Sequence, residues 1–189
     1  MNNIYLTSDL HFCHNREFLY GPRGFTCVED MNEAIISNWN SIIKKDDDVY
    51  LLGDLMLSDT EKGLECLSRL KGNIHIIRGN HDTDTRLIRY IFGNENIKDI
   101  QEIKRLSYNN YNFYLSHYPT LCSNYDCDKP LNSRLINLCG HTHTQNWAKD
   151  MDKGLIYHCE LDAHNNTPVL LDKIINDLNK WVENVQSKK

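Results

Sequence analysis

The stretch Ile4-Tyr5-Leu6-Thr7-Ser8-Asp9-Leu10-His11-Phe12-Cys13-His14 decides how this chain is read. An apolar, strand-prone run breaks directly into alternating carboxylate and imidazole residues, the order expected where a buried strand ends at a ligand site. The same grammar recurs downstream. Val49-Tyr50-Leu51-Leu52 closes on Gly53-Asp54, and Ile74-His75-Ile76-Ile77 on Arg78-Gly79-Asn80-His81-Asp82. Residues 111–116 run into His117, and 135–139 into Gly140-His141-Thr142-His143. In an α/β fold, ligands bind beyond the carboxyl ends of the strands, so residues distant in sequence are brought to one cleft.

Between these strands the apolar period becomes helical. After Thr26-Cys27-Val28-Glu29, which fits a capping box, Met31, Ile35, Trp39 and Ile42 recur on one face, widened by Ile36 and Ile43. Ser58-Asp59-Thr60-Glu61 starts a second helix carrying Leu64, Leu67 and Leu70 and stopping at Gly72, and residues 85–92 predict a third, stopped by Gly93. The second half is richer in strands. Residues 97–106 and 111–116 flank Asn109-Asn110 as a hairpin, 135–139 and 155–161 are further strands, and 171–185 predicts a final helix with Ile174, Leu178, Trp181 and Val185 inward. Alternating strands and helices, with continuous apolar strands, call for a sheet covered on both faces, and two such halves for two sheets packed together. A single domain over residues 1–189 is expected, with a polar loop at 123–133.

Composition narrows the function. The 189 residues are 40% hydrophobic with a net charge of -5, so a substantial core is available and general affinity for nucleic acid or anionic lipid is disfavoured. No apolar run reaches the length of a membrane span and the first residues lead into a strand, so the expectation is a cytoplasmic protein without membrane contact. The seven cysteines, an odd number without a CxxC pair, read as reduced thiols. Nine histidines are the unusual feature, and most of them fall in the strand-end motifs.

Taken alone, Gly53-Asp54 is ordinary turn chemistry and His117 an ordinary strand-end histidine. In strand order, the five segments together point to a metal site. Carboxylate, imidazole and amide donors suit manganese, iron or zinc better than calcium, and the lack of cysteine argues against a structural thiolate site. The donors exceed what one ion takes. Two ions about 3.5 to 4 Å apart, sharing a carboxylate, accommodate them and suit phosphoester hydrolysis.

The strings Asp9-Leu10-His11, Gly53-Asp54, Gly79-Asn80-His81-Asp82, His117 and Gly140-His141-Thr142-His143 resemble the motifs of the calcineurin-like metallophosphoesterase superfamily. The tail Asp162-Ala163-His164-Asn165-Asn166-Thr167-Pro168-Val169 resembles that of its small bacterial and phage phosphoesterases, although His164 stands where an aromatic residue is common. The resemblance implies an α/β fold, a four-layer α/β/β/α sandwich with two mixed β-sheets. It implies one ion on Asp9, His11 and His143, a second on Asn80, His117 and His141, and Asp54 bridging both through its two oxygens. The cofactors expected are two divalent or mixed-valence transition-metal ions, manganese or iron first, zinc or nickel as alternatives. A hydroxide between them would attack phosphorus in line, with His81 over the leaving group as acid or charge stabiliser, and Asp82 orienting the His81 ring or capping a helix.

His14, Asn15, Arg16 and Arg23 are candidate contacts for substrate phosphate, and Tyr118 for a base or sugar. Arg78 is a candidate partner of Asp162 or Glu160, while His75 and His158 read as structural. The leading expectation is an enzyme hydrolysing a small phosphomonoester or phosphodiester. A nuclease or cyclic-nucleotide phosphodiesterase with the same metals is the alternative, and a catalytically inactive interaction scaffold on this fold is a third reading. The acidic balance favours a small phosphorylated substrate over nucleic acid, and oligomeric state is not readable.

Overall fold

In a computed structural model of the protein, describing residues 2–122 and 129–187, Ile4–Thr7 forms β1, followed by α1 (Glu17–Tyr20) and α2 (Val28–Ile42). Then come β2 (Asp48–Leu51), α3 (Thr60–Ser68), β3 (Asn73–Ile77), α4 (Asp84–Gly93), β4 (Ile97–Gln101), β5 (Lys104–Tyr108) and β6 (Tyr111–Leu115). The chain continues through β7 (Leu135–Cys139), α5 (Met151–Gly154), β8 (Ile156–His158), β9 (Val169–Leu170) and α6 (Leu171–Gln186). The first sheet has the order β4-β3-β2-β1-β9, parallel except for β9. The second has the order β5-β6-β7-β8, parallel except for β5.

Because β1, β2 and β3 are paired in parallel and buried on both faces, their residues are apolar almost throughout. Tyr5, Val49, Leu51, Ile74 and Ile76 face a core built with Met31, Ile35 and Trp39 of α2, Leu67 of α3 and Tyr90 of α4. Leu6, Tyr50, Leu52 and Ile77 face the opposite way, against Phe113, Leu115, Ile136, Leu138 and Tyr157 of the second sheet. Helices α5 and α6 pack with the second sheet, α6 burying Ile174 and Leu178 and hydrogen-bonding the Tyr108, Tyr111 and Tyr157 hydroxyls. This is the expected α/β fold with two mixed sheets packed together.

Helix α2 is held by its apolar face, since Met31, Ile35 and Trp39 are fully buried. Each such side chain contributes about 1.5–3 kcal/mol of transfer free energy. Its start differs from the capping box expected. Cys27 is the N-cap without a side-chain bond, and the Thr26 hydroxyl reaches Asp30 instead. Asp59 caps α3 and Thr83 caps α4, each accepting a backbone N–H three residues on.

Two further expectations are corrected. Residues 97–106 are not one hairpin arm. β4 is the parallel edge of the first sheet, and only β5 pairs with β6 about Asn109-Asn110, both left-handed there. The strand expected at 155–161 ends at His158, because the chain turns at Leu161 into a short 3-10 segment. Of the polar loop at 123–133, residues 123–128 lie outside the described residues, and Leu131–Ser133 is a 3-10 turn.

Candidate metal centre

The five motifs follow the carboxyl ends of β1, β2, β3, β6 and β7. Parallel pairing continues past β1 and β2 into the ligand loops. The N–H groups of Asp9, His11 and Phe12 donate to the carbonyls of Gly53, Asp54 and Leu55, each at 3.0 Å. The loops adopt unusual backbone to do this. Asp9, His11, Asp54, His141 and His143 all have left-handed φ, between 49° and 74°. Such conformations cost about 1 kcal/mol or more for side chains with a Cβ, and they concentrate where side chains must be aimed. Close approach adds another constraint. A Cβ on Gly140 would overlap Ser8 Oγ, and one on Gly79 would overlap Asp54 Oδ1, so glycine is required at both crossings.

The donors form two groups. Asp9, His11 and His143 offer ligand atoms within 4.8 Å of one another, and so do Asp54, His117 and His141. His11 Nε2 lies 3.2 Å from His143 Nε2, and His117 Nε2 lies 3.2 Å from His141 Nδ1 and 2.9 Å from Asn80 Oδ1. Asp54 Oδ2 stands between the groups, 3.7 Å from His11 Nε2 and 3.6 Å from His117 Nε2. Only this oxygen faces both. Oδ1 accepts the His81 backbone N–H at 2.8 Å. Asp9, His11, Asp54 and His117 are buried, whereas Asn80 and His141 are exposed, so the cleft opens on their side.

Two of the four histidine tautomers are set from behind. His117 Nδ1 lies 2.8 Å from the Leu52 carbonyl and His143 Nδ1 3.0 Å from Asp162 Oδ2, so each ring donates there and turns the Nε2 lone pair into the site. Buried Asp9 Oδ1 has no hydrogen-bond partner, yet lies 3.6 Å from both His11 Nε2 and His143 Nε2. Lone pairs converging without donors, around an unpartnered buried carboxylate oxygen, fit a cation. Burial would raise the Asp9 pKa, but His11, His143 and His117 outweigh it and keep the carboxyl ionised well below its usual range. Asp54 moves up, through burial and repulsion from Asp9 against the pull of His117 and His81.

The remaining candidates separate. The half-exposed His81 imidazole has Nε2 3.9 Å from Asp54 Oδ2. Its backbone is pinned on both sides, since Arg86 donates to its carbonyl at 2.7 Å. Asp82 neither orients that ring nor caps α4. It is buried and accepts the N–H groups of Asp54, Leu55 and Gly79 and the Tyr90 hydroxyl, tying the second motif to the third. Arg23 is corrected from substrate contact to support. It is buried, forms a two-pronged pair with Asp162 at 3.1 and 2.7 Å, and donates to the carbonyls of Asp9 and Leu10. Burial would raise the Asp162 pKa, but His143 and Arg23 pull it down to about 2. Arg78 pairs with Asp84 and Glu102 rather than Asp162 or Glu160.

His14 lies at the rim, its ring 5.4 Å from that of His11, and burial, with the neighbouring histidines and Arg16, lowers its pKa to about 4. Arg16 is exposed, and Asn15 lines a cavity of about 430 Å³ with Asn32 and Cys66. Tyr118 is half exposed with its ring 4.7 Å from that of His141. His75 pairs with Asp99 at 2.8 Å and stacks on Tyr50, a structural position. His158 is fully buried between Asp150 and Glu160, and Glu160 in turn accepts the Thr142 hydroxyl and Thr144 N–H, bracing the His141–His143 loop. Sequence reading missed the bracing roles of Asp162 and Glu160; the available signal was that a ligating histidine needs an acceptor on its other nitrogen.

The described cysteines are free thiols, and no helix among the described residues is long and apolar enough to cross a membrane. An uncharacterized protein of Methanocaldococcus jannaschii is 35% identical over 189 residues, covering 95% of this chain and 93% of the relative. The gene 66 protein of Mycobacterium phage L5 is 28% identical over 165 residues, covering 76% of this chain and 79% of the phage protein. A protein of unknown function from Aquifex aeolicus shares the fold, with a TM-score of 0.68 at 20% identity over 93% of this chain and 99% of that one. The sequence model of the calcineurin-like phosphoesterase superfamily domain matches residues 3–164, the span that carries both donor groups and the Asp162 support. With that match running from the first strand through every motif, the chain belongs to the calcineurin-like phosphoesterase superfamily and is a hydrolase of phosphoesters.

Proposed function

We propose that the chain is a dinuclear metal-dependent phosphoesterase acting on a small phosphomonoester or phosphodiester. The observation that carries this reading is the position of Asp54 Oδ2, within 3.7 Å of a histidine nitrogen from each donor group. Asp9, His11 and His143 would hold one ion, Asn80, His117 and His141 the other, and Asp54 both. The mixed oxygen and nitrogen set suits manganese or iron, with zinc or nickel able to substitute. Bound ions would supply a nucleophile from water at neutral pH and offset charge on the phosphoryl oxygens.

The chain's own residues do the rest. Two carboxylates, Asp9 and Asp54, leave a pair of dications incompletely neutralised, so an anionic ester is attracted although the net charge is -5. Asn80 contributes a neutral oxygen on the open side and adds no negative charge facing that ester. His81, fixed by its backbone and half exposed above Asp54, is placed to protonate a leaving alkoxide or to donate to a phosphoryl oxygen.

Reconstitution tests the reading. Protein stripped with chelator and reloaded with manganese, iron or zinc should bind two ions per chain and hydrolyse p-nitrophenyl phosphate or bis-p-nitrophenyl phosphate. Asp54→Asn should weaken both sites. Failure of two-ion protein on both esters would refute the hydrolytic assignment, and tight retention of two ions by Asp54→Asn would refute the shared carboxylate.

A further inference from the structure

Two exposed aromatic rings stand on either side of the donor groups, and packing explains neither. Phe18 is 73% exposed on α1, where only Leu19 is buried. Its ring meets His14 edge-on at 5.7 Å, and His14 meets His11 at 5.4 Å, so Phe18 lies one ring beyond the first donor group. Tyr118 is 50% exposed, with ring centroids 4.7 Å from His141 and 5.0 Å from His117 in the second group.

Both rings keep an exposed side while their backbones are fixed. The N–H groups of Leu19 and Tyr20 donate to the Arg16 carbonyl, and that of Gly21 to the Glu17 carbonyl. The Tyr118 carbonyl accepts the hydroxyls of Ser116 and Thr120, and the Thr120 N–H donates to fully buried Asn137. A flat ring presented on a pinned backbone loses little freedom when a planar ligand stacks on it. Of the arginines near the site, Arg23 is spent on Asp162 and Arg86 on the His81 carbonyl, while Arg16 is exposed beside His14 and could meet a phosphate but offers no flat apolar face to an aromatic group.

We propose that Phe18 and Tyr118 are aromatic walls of the substrate cleft and that the phosphoester accepted carries a planar aromatic group, as a nucleoside phosphate does. This rests on the phosphoesterase reading above. With phosphate at the donor groups, an aromatic substituent on either ester oxygen comes within reach of one ring, and stacking of this kind changes affinity about tenfold or more.

The test uses manganese-loaded protein and two p-nitrophenyl diesters with a common leaving group, one with thymidine 5′ and one with ethyl as the retained substituent. The ratio of kcat/KM, thymidine over ethyl, should exceed about ten. It should fall at least fivefold, through KM, in Phe18→Ala or Tyr118→Ala, and be restored by Phe18→Tyr or Tyr118→Phe. A parental ratio near one, or a ratio unmoved in both alanine variants, overturns the proposal. Calorimetric binding of thymidine 5′-phosphate against ethyl phosphate separates the two readings. Selective binding without turnover of either diester would uphold the aromatic walls and remove the hydrolytic assignment. Equal binding would remove the walls whether or not either diester is cleaved.

Discussion

The carboxylate of Asp82 accepts the backbone N–H of Asp54 at 2.8 Å, so the residue shared by the donor groups is aimed by a side chain that is a member of neither group. Asp82 also takes the N–H groups of Leu55 and Gly79 and the Tyr90 hydroxyl, all without exposure to water. Asp82→Ala would leave buried donors unpaired, each costing about 1–3 kcal/mol. A loss of at least about 3 kcal/mol in urea unfolding is expected, together with weaker metal retention. Normal stability with a changed pH–rate profile would instead place Asp82 on the His81 ring.

Arg23 has the same character on the other side of the cleft. Its pair with Asp162 is buried, and it clamps the carbonyls of Asp9 and Leu10 to the support of His143. Arg23→Ala would leave the Asp162 carboxylate buried and short of a partner, which costs about 3–5 kcal/mol. Thermal unfolding should therefore shift strongly downward. A variant of unchanged stability and metal content, with KM alone raised, would return Arg23 to the role of substrate contact.

His81 differs from both because it is half exposed and supports no neighbour with its ring. His81→Ala should keep metal content near the parental level while turnover of poor leaving groups falls about 10²- to 10⁴-fold. Esters with good leaving groups should lose less. Equal turnover of alkyl esters by parent and variant would end the general-acid role.

The strand-end motifs were legible because a continuous apolar run meeting a ligand-type residue is a one-dimensional pattern. Helices α2, α3 and α6 were legible through their period. What escaped depended on partners remote in sequence. Arg23 and Asp162 meet across 139 positions, and Asp150 and Glu160 enclose His158 only once β8 is in place. Hydrophobicity also could not divide residues 97–106, since apolar side chains recur evenly at Ile97, Ile100, Ile103 and Leu106 with no break between β4 and β5, and only the sheets they join tell them apart. The left-handed backbone at Asp9 and His11 carries only a weak residue signature, because Asp and His are enriched there but glycine, the usual marker, is absent where a ligand is needed.

His158 makes stability depend on pH in a direction that identifies its charge. The ring is fully buried, 2.8 Å from Asp150 Oδ2 and 3.1 Å from Glu160 Oε1, with Thr142 Oγ1 and Cys139 Sγ also facing Nδ1. Burial works against the charged form, but Glu160 and Asp150 outweigh it and raise the pKa above the usual histidine value. The folded state therefore holds the proton more tightly than the unfolded chain. Its stabilisation is complete below about pH 6.5, the unfolded value, and is lost as pH rises through the folded one. His158→Gln should cost about 3 kcal/mol at the acidic end, where it removes a cation from between two carboxylates. The gap in unfolding midpoint between parent and variant should then narrow as pH is raised. A gap that stays constant, or widens with pH, would mean that His158 is neutral in the folded protein and braces the His141–His143 loop by hydrogen bonding alone.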